Sequence, residues 1–178
     1  MYDSIAIKGA KIEFTDDIFP VFGSNTCLND YGTWTASNVG ASSASGAYQS
    51  FDSSDTSYGV YSSYTTTGNT TCESIIQLPE RASICPSSIK VCASNIRAID
   101  FKGFNPNTQQ WEVIQSIDTP SSVNQIFEVS TKKYYTQFSI LAYTVVSSSN
   151  IQSAIRNFDI HSGILQIQAK TNQLNYIH

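Results

Sequence analysis

Apolar and polar residues alternate in short stretches along the chain, and few windows show the period of an amphipathic helix. In the segment Ala98–Phe104, Ile99 and Phe101 share one face of an extended strand. Asp100 and Lys102 fall on the other face. This period of two predicts a strand with one buried face and one exposed face.

Comparable stretches recur at intervals of about ten residues, separated by turn-forming residues. The turn Asn105–Thr108 predicts a hairpin, because Asn and Pro favour tight turns. Regularly spaced short strands predict an all-β fold, an antiparallel β-sandwich or barrel. The predicted strands are Ile5–Phe14, Ser74–Leu78, Ser88–Ala93, Ala98–Phe104, Trp111–Ser116, Gln125–Val129, Tyr134–Val146 and Ala154–His161.

The polarity of the chain is largely uncharged. Charged residues make up 13% of the 178 residues, whereas 27 Ser, 16 Thr, 12 Asn and 11 Gln supply hydroxyl and amide groups. With 10 basic residues and a formal net charge of −4, the chain lacks the clustered cations that a nucleic-acid groove needs. No apolar run approaches the ~20 residues of a membrane helix, and no signal-peptide pattern is visible. We therefore expect one domain, with no nucleic acid among its partners and no membrane span.

The four cysteines show no CxxC spacing, and the two histidines lie far from them in the sequence. A zinc site is therefore not expected. Disulfides and buried free thiols both fit the spacing, and the lack of a signal peptide favours free thiols. The cysteines are Cys27, Cys72, Cys85 and Cys92.

Residues 36–71 differ from the rest of the chain, because they are rich in Ser, Gly, Thr and Tyr and contain no cation. Gly/Ser-rich stretches are usually flexible linkers. A linker does not need five aromatic residues within 17 positions, as occur here at Tyr48, Phe51, Tyr58, Tyr61 and Tyr64. We interpret residues 36–71, called the excursion below, as an ordered segment that crosses one end of the sandwich.

A series of short motifs follows a recognisable order along residues 34–163. The motifs are Trp34–Ser37, Ala47–Asp52, Tyr61–Ser63, Ile75–Glu80, Ala98–Asn105, Trp111–Ile114, Phe127–Val129, Tyr134–Phe138 and Phe158–Gly163. Their order and spacing resemble those of discoidin, or coagulation factor 5/8 type C, domains, which are galactose-binding-like. Tyr61 stands where that family usually has Trp, and Ser53 stands where it usually has Gly. The cysteines that often join the ends of secreted members are also absent, which argues against an animal extracellular domain. The Ser/Thr/Asn-rich, Lys-poor composition looks closer to that of discoidin-like modules on phage tail fibres and large-virus particles.

The resemblance implies a jelly-roll β-sandwich over residues 34–163. Residues 1–33 would form an N-terminal extension with extra strands, and residues 164–178 a C-terminal strand or tail. The family holds ligands rather than transforming them, and these are commonly carbohydrates. Loops at one end of the sandwich form the family's ligand site, and the resemblance places Asp52–Thr70 among them.

The sequence gives little evidence for catalytic groups. Glycosidases hold two carboxylates across a cleft. Asp52 and Asp55 lie in a Ser-rich loop, where Asp usually accepts hydrogen bonds from nearby backbone N–H groups. The adjacent Asp16 and Asp17 are more typical of a turn, and the chain has neither a GxSxG nor an HExxH motif. We therefore expect no enzymatic activity.

Sugar binding needs amide, carboxylate or guanidinium groups for fixed hydrogen bonds and an aromatic ring for stacking. The candidate ligand-binding residues are Asp52, Asp55, Tyr58, Tyr61, Tyr64, Asn105 and Asn107. Whether the Asn-Pro-Asn turn lies at the same end as the excursion is left open by the sequence. Trp34, Phe51 and Trp111 are expected in the core, while the three tyrosines fit either role.

Three side chains have further candidate roles. Asp52 could also contribute one oxygen to a structural calcium, which requires about six to eight of them. Arg81 and Arg97 could orient a ligand, although solvated positions at strand edges are favoured for both.

Together these features predict a non-catalytic, lectin-like module that attaches to glycans or glycoproteins at the surface of a virion or cell. Without a signal peptide, the location would otherwise be cytoplasmic. The alternative is a structural or assembly module of a virus particle or other complex, which binds neighbouring subunits through its sheet edges. Strands from residues 1–33 and 164–178 would either augment a neighbour's sheet or complete the domain's own, and the second is favoured.

Overall fold

The computed structural model describes residues 10–16, 18–39, 46–54, 56, 60–63, 71–118, 120, 123–144 and 152–169. Within them, the chain forms antiparallel β-strands and one short 3₁₀ helix, Ala47–Ser50. The strands are β1 (Lys11–Thr15), β2 (Thr26–Asn29), β3 (Gly32–Val39), β4 (Val60–Ser63), β5 (Thr71–Gln77), β6 (Ala82–Ser94), β7 (Ile96–Asn105), β8 (Gln110–Asp118), β9 (Gln125–Glu128), β10 (Gln137–Thr144) and β11 (Gln152–Ile167).

The strands form two sheets. The five-stranded sheet has the order β1-β11-β6-β9, and β4 pairs with the beginning of β11. The six-stranded sheet has the order β2-β3-β5-β10-β7-β8. The predicted all-β class is confirmed, and every predicted strand overlaps an observed one.

Alternation along the strands produces the core between the sheets. On β7, Ile99 and Phe101 are fully buried, while Asp100 and Lys102 are partly exposed on the outer face. Phe101 contacts Phe158 of the other sheet, with the ring centroids 5.6 Å apart. The outer face of each sheet, as used below, is the one turned away from this core.

The two regions outside the discoidin-like motifs pair with each other. Lys11 of β1 lies opposite Gln166 of β11, and Thr15 lies opposite Ser162. β11 continues without interruption to Ile167, so the predicted boundary at residue 163 falls inside one strand. β1 and the end of β11 thus complete the chain's own sheet, as the favoured interpretation expected.

Strand register shows whether the excursion and the Asn-Pro-Asn turn lie at the same end of the sandwich. β4 of the excursion pairs with the beginning of β11, and Ala154 there also pairs with Ser94, the last residue of β6. β7 begins two residues later, at Ile96, and runs to the opposite end of the sheet, where the Asn105 turn connects it to β8. The Asn-Pro-Asn turn and β4 of the excursion therefore lie at opposite ends of the sandwich.

No helix in the described ranges is both long and apolar enough to cross a membrane.

Candidate functional site

Residues 46–54 of the excursion are fixed to the core. Phe51 is 2% exposed, and its carbonyl oxygen accepts a hydrogen bond from the Phe22 N–H at 3.1 Å. The next residue, Asp52, accepts a hydrogen bond from the Ser54 N–H at 3.0 Å. This is the local turn that Asp commonly forms in loops, so the Asp52 carboxylate shapes the excursion's backbone.

The other predicted residues of the excursion are only partly visible. The backbone of Tyr61 lies in β4 opposite Ala154, and its side chain lies outside the described part of the chain. Asp55, Tyr58 and Tyr64 also lie outside the described residues. Their assignment as ligand-binding residues stays a prediction.

The described ranges contain no cluster of acidic, Cys or His side chains that would support the calcium hypothesis. There, no three His, Cys, Asp or Glu side chains come together as a metal site. Asp52 is partly exposed and bonds to the neighbouring Ser54 N–H. Asp55 and much of the same loop lie outside the described residues, so the calcium role of Asp52 stays a prediction, and no step of the proposed function depends on it.

At the opposite end, a cleft of about 670 Å³ opens between the two sheets. This volume falls within the range of small-molecule sites, about 300–1,000 Å³. Three connections form its walls: the turn between β5 and β6, the Asn105 turn, and the segment before β10. The lining residues are Gln77, Leu78, Pro79, Glu80, Arg81, Ala82, Ser83, Asn105, Pro106, Asn107, Lys132, Lys133, Tyr134, Thr136, Gln166 and Gln168.

Backbone hydrogen bonds hold these walls together. The Leu78 N–H donates to the Thr136 carbonyl oxygen at 3.1 Å, and the Thr136 N–H donates to that of Phe104 at 3.2 Å. The Gln168 N–H donates to the Arg81 carbonyl oxygen at 3.0 Å. The cleft is therefore built on the ends of five paired strands, which gives it a rigid frame.

Asn105 is a supporting residue of the cleft. It is 7% exposed, its Nδ2 donates to Glu112 Oε1 at 3.0 Å, and its Oδ1 accepts from the Asn107 N–H at 2.9 Å. Glu112 also accepts hydrogen bonds from Lys133 Nζ and the Tyr135 hydroxyl, both at 3.1 Å. The hydrogen bonds from Asn105 and Lys133 hold the pKa of Glu112 below its ordinary value. This network fixes the turn that presents Asn107.

Asn107, Arg81 and Tyr134 are the side chains best placed for recognition. Asn107 is exposed, and Arg81 sits in a left-handed turn conformation with φ 68°. Among the described residues, the Arg81 guanidinium makes one hydrogen bond, to the Gln168 carbonyl oxygen at 3.5 Å, so most of its five N–H donors are unused there. Tyr134 has Lys11 Nζ 5.2 Å from its ring centroid, and it is partly exposed. A planar amide, a guanidinium and an aromatic ring thus share one cleft.

The charges of the cleft are few and mostly positive. Glu80 is the one carboxylate among the described lining residues. Lys133 pairs with Glu112 at 3.1 Å. A single carboxylate does not provide the two-carboxylate arrangement of glycosidases, whereas amides and a guanidinium suit hydroxyl recognition.

Two of the three aromatic residues expected in the core are there. Trp34 is 0% exposed, and its indole N–H donates to Asn29 Oδ1 at 2.8 Å. Phe51 is also buried. For Trp111 the expectation is wrong, because this side chain is 36% exposed on the outer face of the six-stranded sheet. It faces outward because its cross-strand partner, Phe104, occupies the face of β7 opposite to Phe101.

Sequence reasoning missed several members of the cleft. Tyr134 was assigned only to a strand, and Gln77, Gln166 and Gln168 had no assigned role. Gln77, Tyr134 and the neighbouring Gln166 and Gln168 come from three separate parts of the sequence, so only strand pairing brings them together. The sequence does not show this pairing, in which β6 lies beside β11 in one sheet and β5, β10 and β7 are neighbours in the other.

Comparison with solved structures places this fold. The family 32 carbohydrate-binding module of Clostridium perfringens NanJ, solved in complex with galactose, matches with a TM-score of 0.53 and 11% identity, over 74% of this chain and 93% of that one. Chitosan-binding module 2 of a Paenibacillus sp. IK-5 chitosanase/glucanase, solved with chitotriose, gives 0.53 and 11%, over 78% and 97%. This chain has a galactose-binding-like fold. CBM62 from Clostridium thermocellum Xyl5A shares it, with a TM-score of 0.51 and 15% identity over 76% and 96% of the two chains.

The predicted discoidin-like, galactose-binding-like β-sandwich is therefore confirmed at the level of the fold. No protein-family model matches the chain, and no curated protein matches its sequence.

Proposed function

We propose that this chain is a non-catalytic carbohydrate-binding module. The observation that carries the proposal is the cleft at the Asn105 end, where amide, guanidinium and aromatic groups line one cavity of about 670 Å³. The galactose-binding-like fold supports it, since structures that share the fold were solved with galactose and with chitotriose bound.

Each side chain has a role in this proposal. Arg81 donates to sugar hydroxyl oxygens through its guanidinium, and the Asn107 amide both donates and accepts. Tyr134 packs its ring against the C–H face of a sugar. Because Glu80 is the one described carboxylate in the lining, the cleft holds a sugar without the acid and base needed to hydrolyse it.

Binding is tested by isothermal titration calorimetry with galactose, GalNAc-β-1,3-galactose and chitotriose. We expect wild type to bind at least one of them, and Arg81→Ala and Tyr134→Ala to weaken that binding at least about tenfold, which is about 1.4 kcal/mol. Leu28→Ala is the control, because Leu28 is 76% exposed on β2 and does not line the cleft.

The excursion end provides the competing location. If Tyr58→Ala and Tyr61→Ala abolish binding while the two cleft variants do not, the sugar binds at the excursion and the assignment to the cleft is wrong. If wild type binds none of the three sugars and gives no signal on a broader glycan array, the proposed function itself is wrong.

The proposal extends to attachment. We propose that the module tethers a virus particle or cell surface to host glycans, because few charges and many hydroxyl and amide groups suit neutral, hydroxyl-rich partners. Copurification of the chain with a particle, and loss of particle adhesion on glycan-coated beads when the cleft variants are used, test this extension. Unchanged adhesion would contradict it.

A second candidate function is assembly within a particle or complex. The observation that favours it is β8, a nine-residue strand at the edge of the six-stranded sheet, with Val113 57% exposed. Long edge strands can pair with a neighbouring chain. A Val113→Pro variant that still binds sugar but no longer enters the particle would favour assembly.

A further inference from the structure

The outer face of the six-stranded sheet carries one row of uncharged side chains that crosses all six strands. Each member lies directly opposite the next in the strand register. The members, called the Trp111 row, are Trp111 of β8, Phe104 of β7, Gln137 of β10, Gln77 of β5, Thr35 of β3 and Thr26 of β2. With strands about 4.8 Å apart, the row is about 24 Å long.

The aromatic end of the row is a platform. The rings of Trp111 and Phe104 meet edge to face, with their centroids 5.5 Å apart. Lys102 Nζ lies 5.6 Å from the Trp111 ring centroid. These contacts fix the indole against the sheet while 36% of the Trp111 side chain stays exposed. Fixed, exposed indole surface of this kind stacks readily on an apolar ligand face.

Three charged side chains on the rest of this face, Lys102, Glu73 and Asp100, have close polar partners. Lys102 Nζ lies 2.9 Å from Glu73 Oε1, and both side chains are less than 20% exposed. The Ser139 hydroxyl also donates to Glu73. Asp100 accepts hydrogen bonds from the Tyr143 hydroxyl at 2.7 Å and from the Ser116 hydroxyl at 2.6 Å. The row itself is uncharged, and Lys102, which lies over the Trp111 ring, is paired with Glu73.

We propose that the Trp111 row binds an extended, neutral polysaccharide chain. Trp111 stacks on one sugar ring, and the amides of Gln137 and Gln77 donate to and accept from hydroxyls further along the chain. Gln77 belongs to both the row and the cleft, so one glycan can occupy both. The inference rests on the proposed function and adds its ligand class, a chain of several sugars rather than a terminal sugar alone.

Affinity gel electrophoresis with soluble galactomannan, xyloglucan and mixed-linkage β-glucan tests this. We expect at least one of them to retard wild type, and Trp111→Ala to lower that affinity at least about tenfold. Gln137→Ala should lower it by a smaller factor. Val113→Ala is the matched control, because Val113 is exposed on the same face of β8, two residues from Trp111 and outside the row.

Trp111→Phe guards against a folding artefact, since it keeps a ring at this position and should retain most of the affinity. If wild type binds a short sugar of the calorimetric set, and Trp111→Ala binds polysaccharide as tightly as wild type, the row inference is wrong and the proposed function stands. The same holds if wild type binds the short sugar and none of the polysaccharides. If wild type binds neither, both proposals are wrong.

Discussion

On the outer face of the five-stranded sheet, Asp159 holds a carboxylate in a largely buried position. Its Oδ1 has no hydrogen-bond partner within the described part of the chain. Burial raises the pKa of Asp159, and the nearby Asp16 carboxylate adds to the rise, while Lys90 and His161 partly oppose it. The folded chain therefore disfavours the charged form of this side chain.

The first prediction concerns Asp159→Asn. Because the pKa is higher in the folded state than in the unfolded state, the ionised carboxylate destabilises the fold above the folded-state pKa. That penalty disappears as the pH falls below the unfolded-state pKa, about 3.9. The variant should therefore melt at a higher temperature than wild type at pH 7, and the difference should vanish near pH 3. Thermal melts across this pH range measure it.

Asp118→Asn is the matched control, since Asp118 is exposed. The same substitution there should leave the Tm unchanged at both pH values. An equal rise in Tm for both variants would show that the change in net charge, rather than the burial of Asp159, causes the rise.

A second residue-scale feature is the close approach of Tyr135 to the backbone of β7. A Cβ atom at Gly103 would overlap the Tyr135 ring, and Tyr135 is 3% exposed, so it has little room to move. Gly103→Ala should lower the free energy of unfolding by about 1–3 kcal/mol, as overpacking does. Gly23→Ala is the control, because nothing lies within 4 Å of a Cβ there. Urea melts compare the two, and equal stabilities would contradict the prediction.

Single residues also mark what the sequence could and could not predict. Alternation correctly separated Ile99 and Phe101 from Asp100 and Lys102, because a strand period of two divides neighbours between faces. It could not place Trp111 in the core or outside it. Strand pattern gives two faces, and only the pairing of β8 with β7 determines which one the core covers.

At the scale of elements, β11 organises the five-stranded sheet. One side of this 16-residue strand pairs with β6 along most of its length. The other side pairs with β4 near its beginning and with β1 near its end. Three register irregularities, between Ile155 and Gly163, let one long strand meet these partners.

The third prediction tests whether the end of β11 belongs to the core. Leu165 is 0% exposed, so Leu165→Ala should lower the free energy of unfolding by about 2–5 kcal/mol. Leu28→Ala, the same change at a side chain that is 76% exposed, should have little effect. Chemical denaturation measures both. A small loss at Leu165 would mean that residues after 163 are an appendage.

Elements differed in how well the sequence predicted them. The hairpin at Asn105 is confirmed. It could be predicted because its turn residues bond to one another: the Asn105 side chain accepts a hydrogen bond from the Asn107 N–H, and the Asn105 carbonyl oxygen accepts one from the Gln109 N–H. β2 and β3 were not predicted as strands. Their outer faces are mostly Thr and Ser, so their hydrophobic signal is weak. Pairing with β5 stabilises β3 through contacts that no local pattern records.

For the whole molecule, the sandwich has two dissimilar ends. One carries the described parts of the excursion, held by Phe51 in the core and by the hydrogen bond from Arg156 to the Thr56 carbonyl oxygen at 3.0 Å. The other carries the cleft. The sequence left open whether its two groups of candidate ligand-binding residues share an end, and only the sheet topology showed that Asn105 and Asn107 do not share an end with Asp52.

The fourth prediction concerns the thiols of the folded chain. All four cysteines are free, and burial raises the pKa of Cys72 to about 12. Burial also raises the pKa of Cys27 and Cys85. Native protein at pH 8 should therefore react slowly with Ellman's reagent, and four thiols should react at once in guanidinium. The Tm should be the same with and without reductant, and a drop on reduction would contradict the free-thiol assignment.

The pairing of β1 with the end of β11 makes the described fold close on itself. The Ile167 N–H donates to the Ala10 carbonyl oxygen at 2.9 Å, so the chain returns to within one hydrogen bond of its first described residue. A short Gly/Ser linker could join residues 10 and 168, and the exposed Thr108 turn could supply new termini. Such a circular permutant should keep both sheets, because strand order in space does not depend on where the ring is cut.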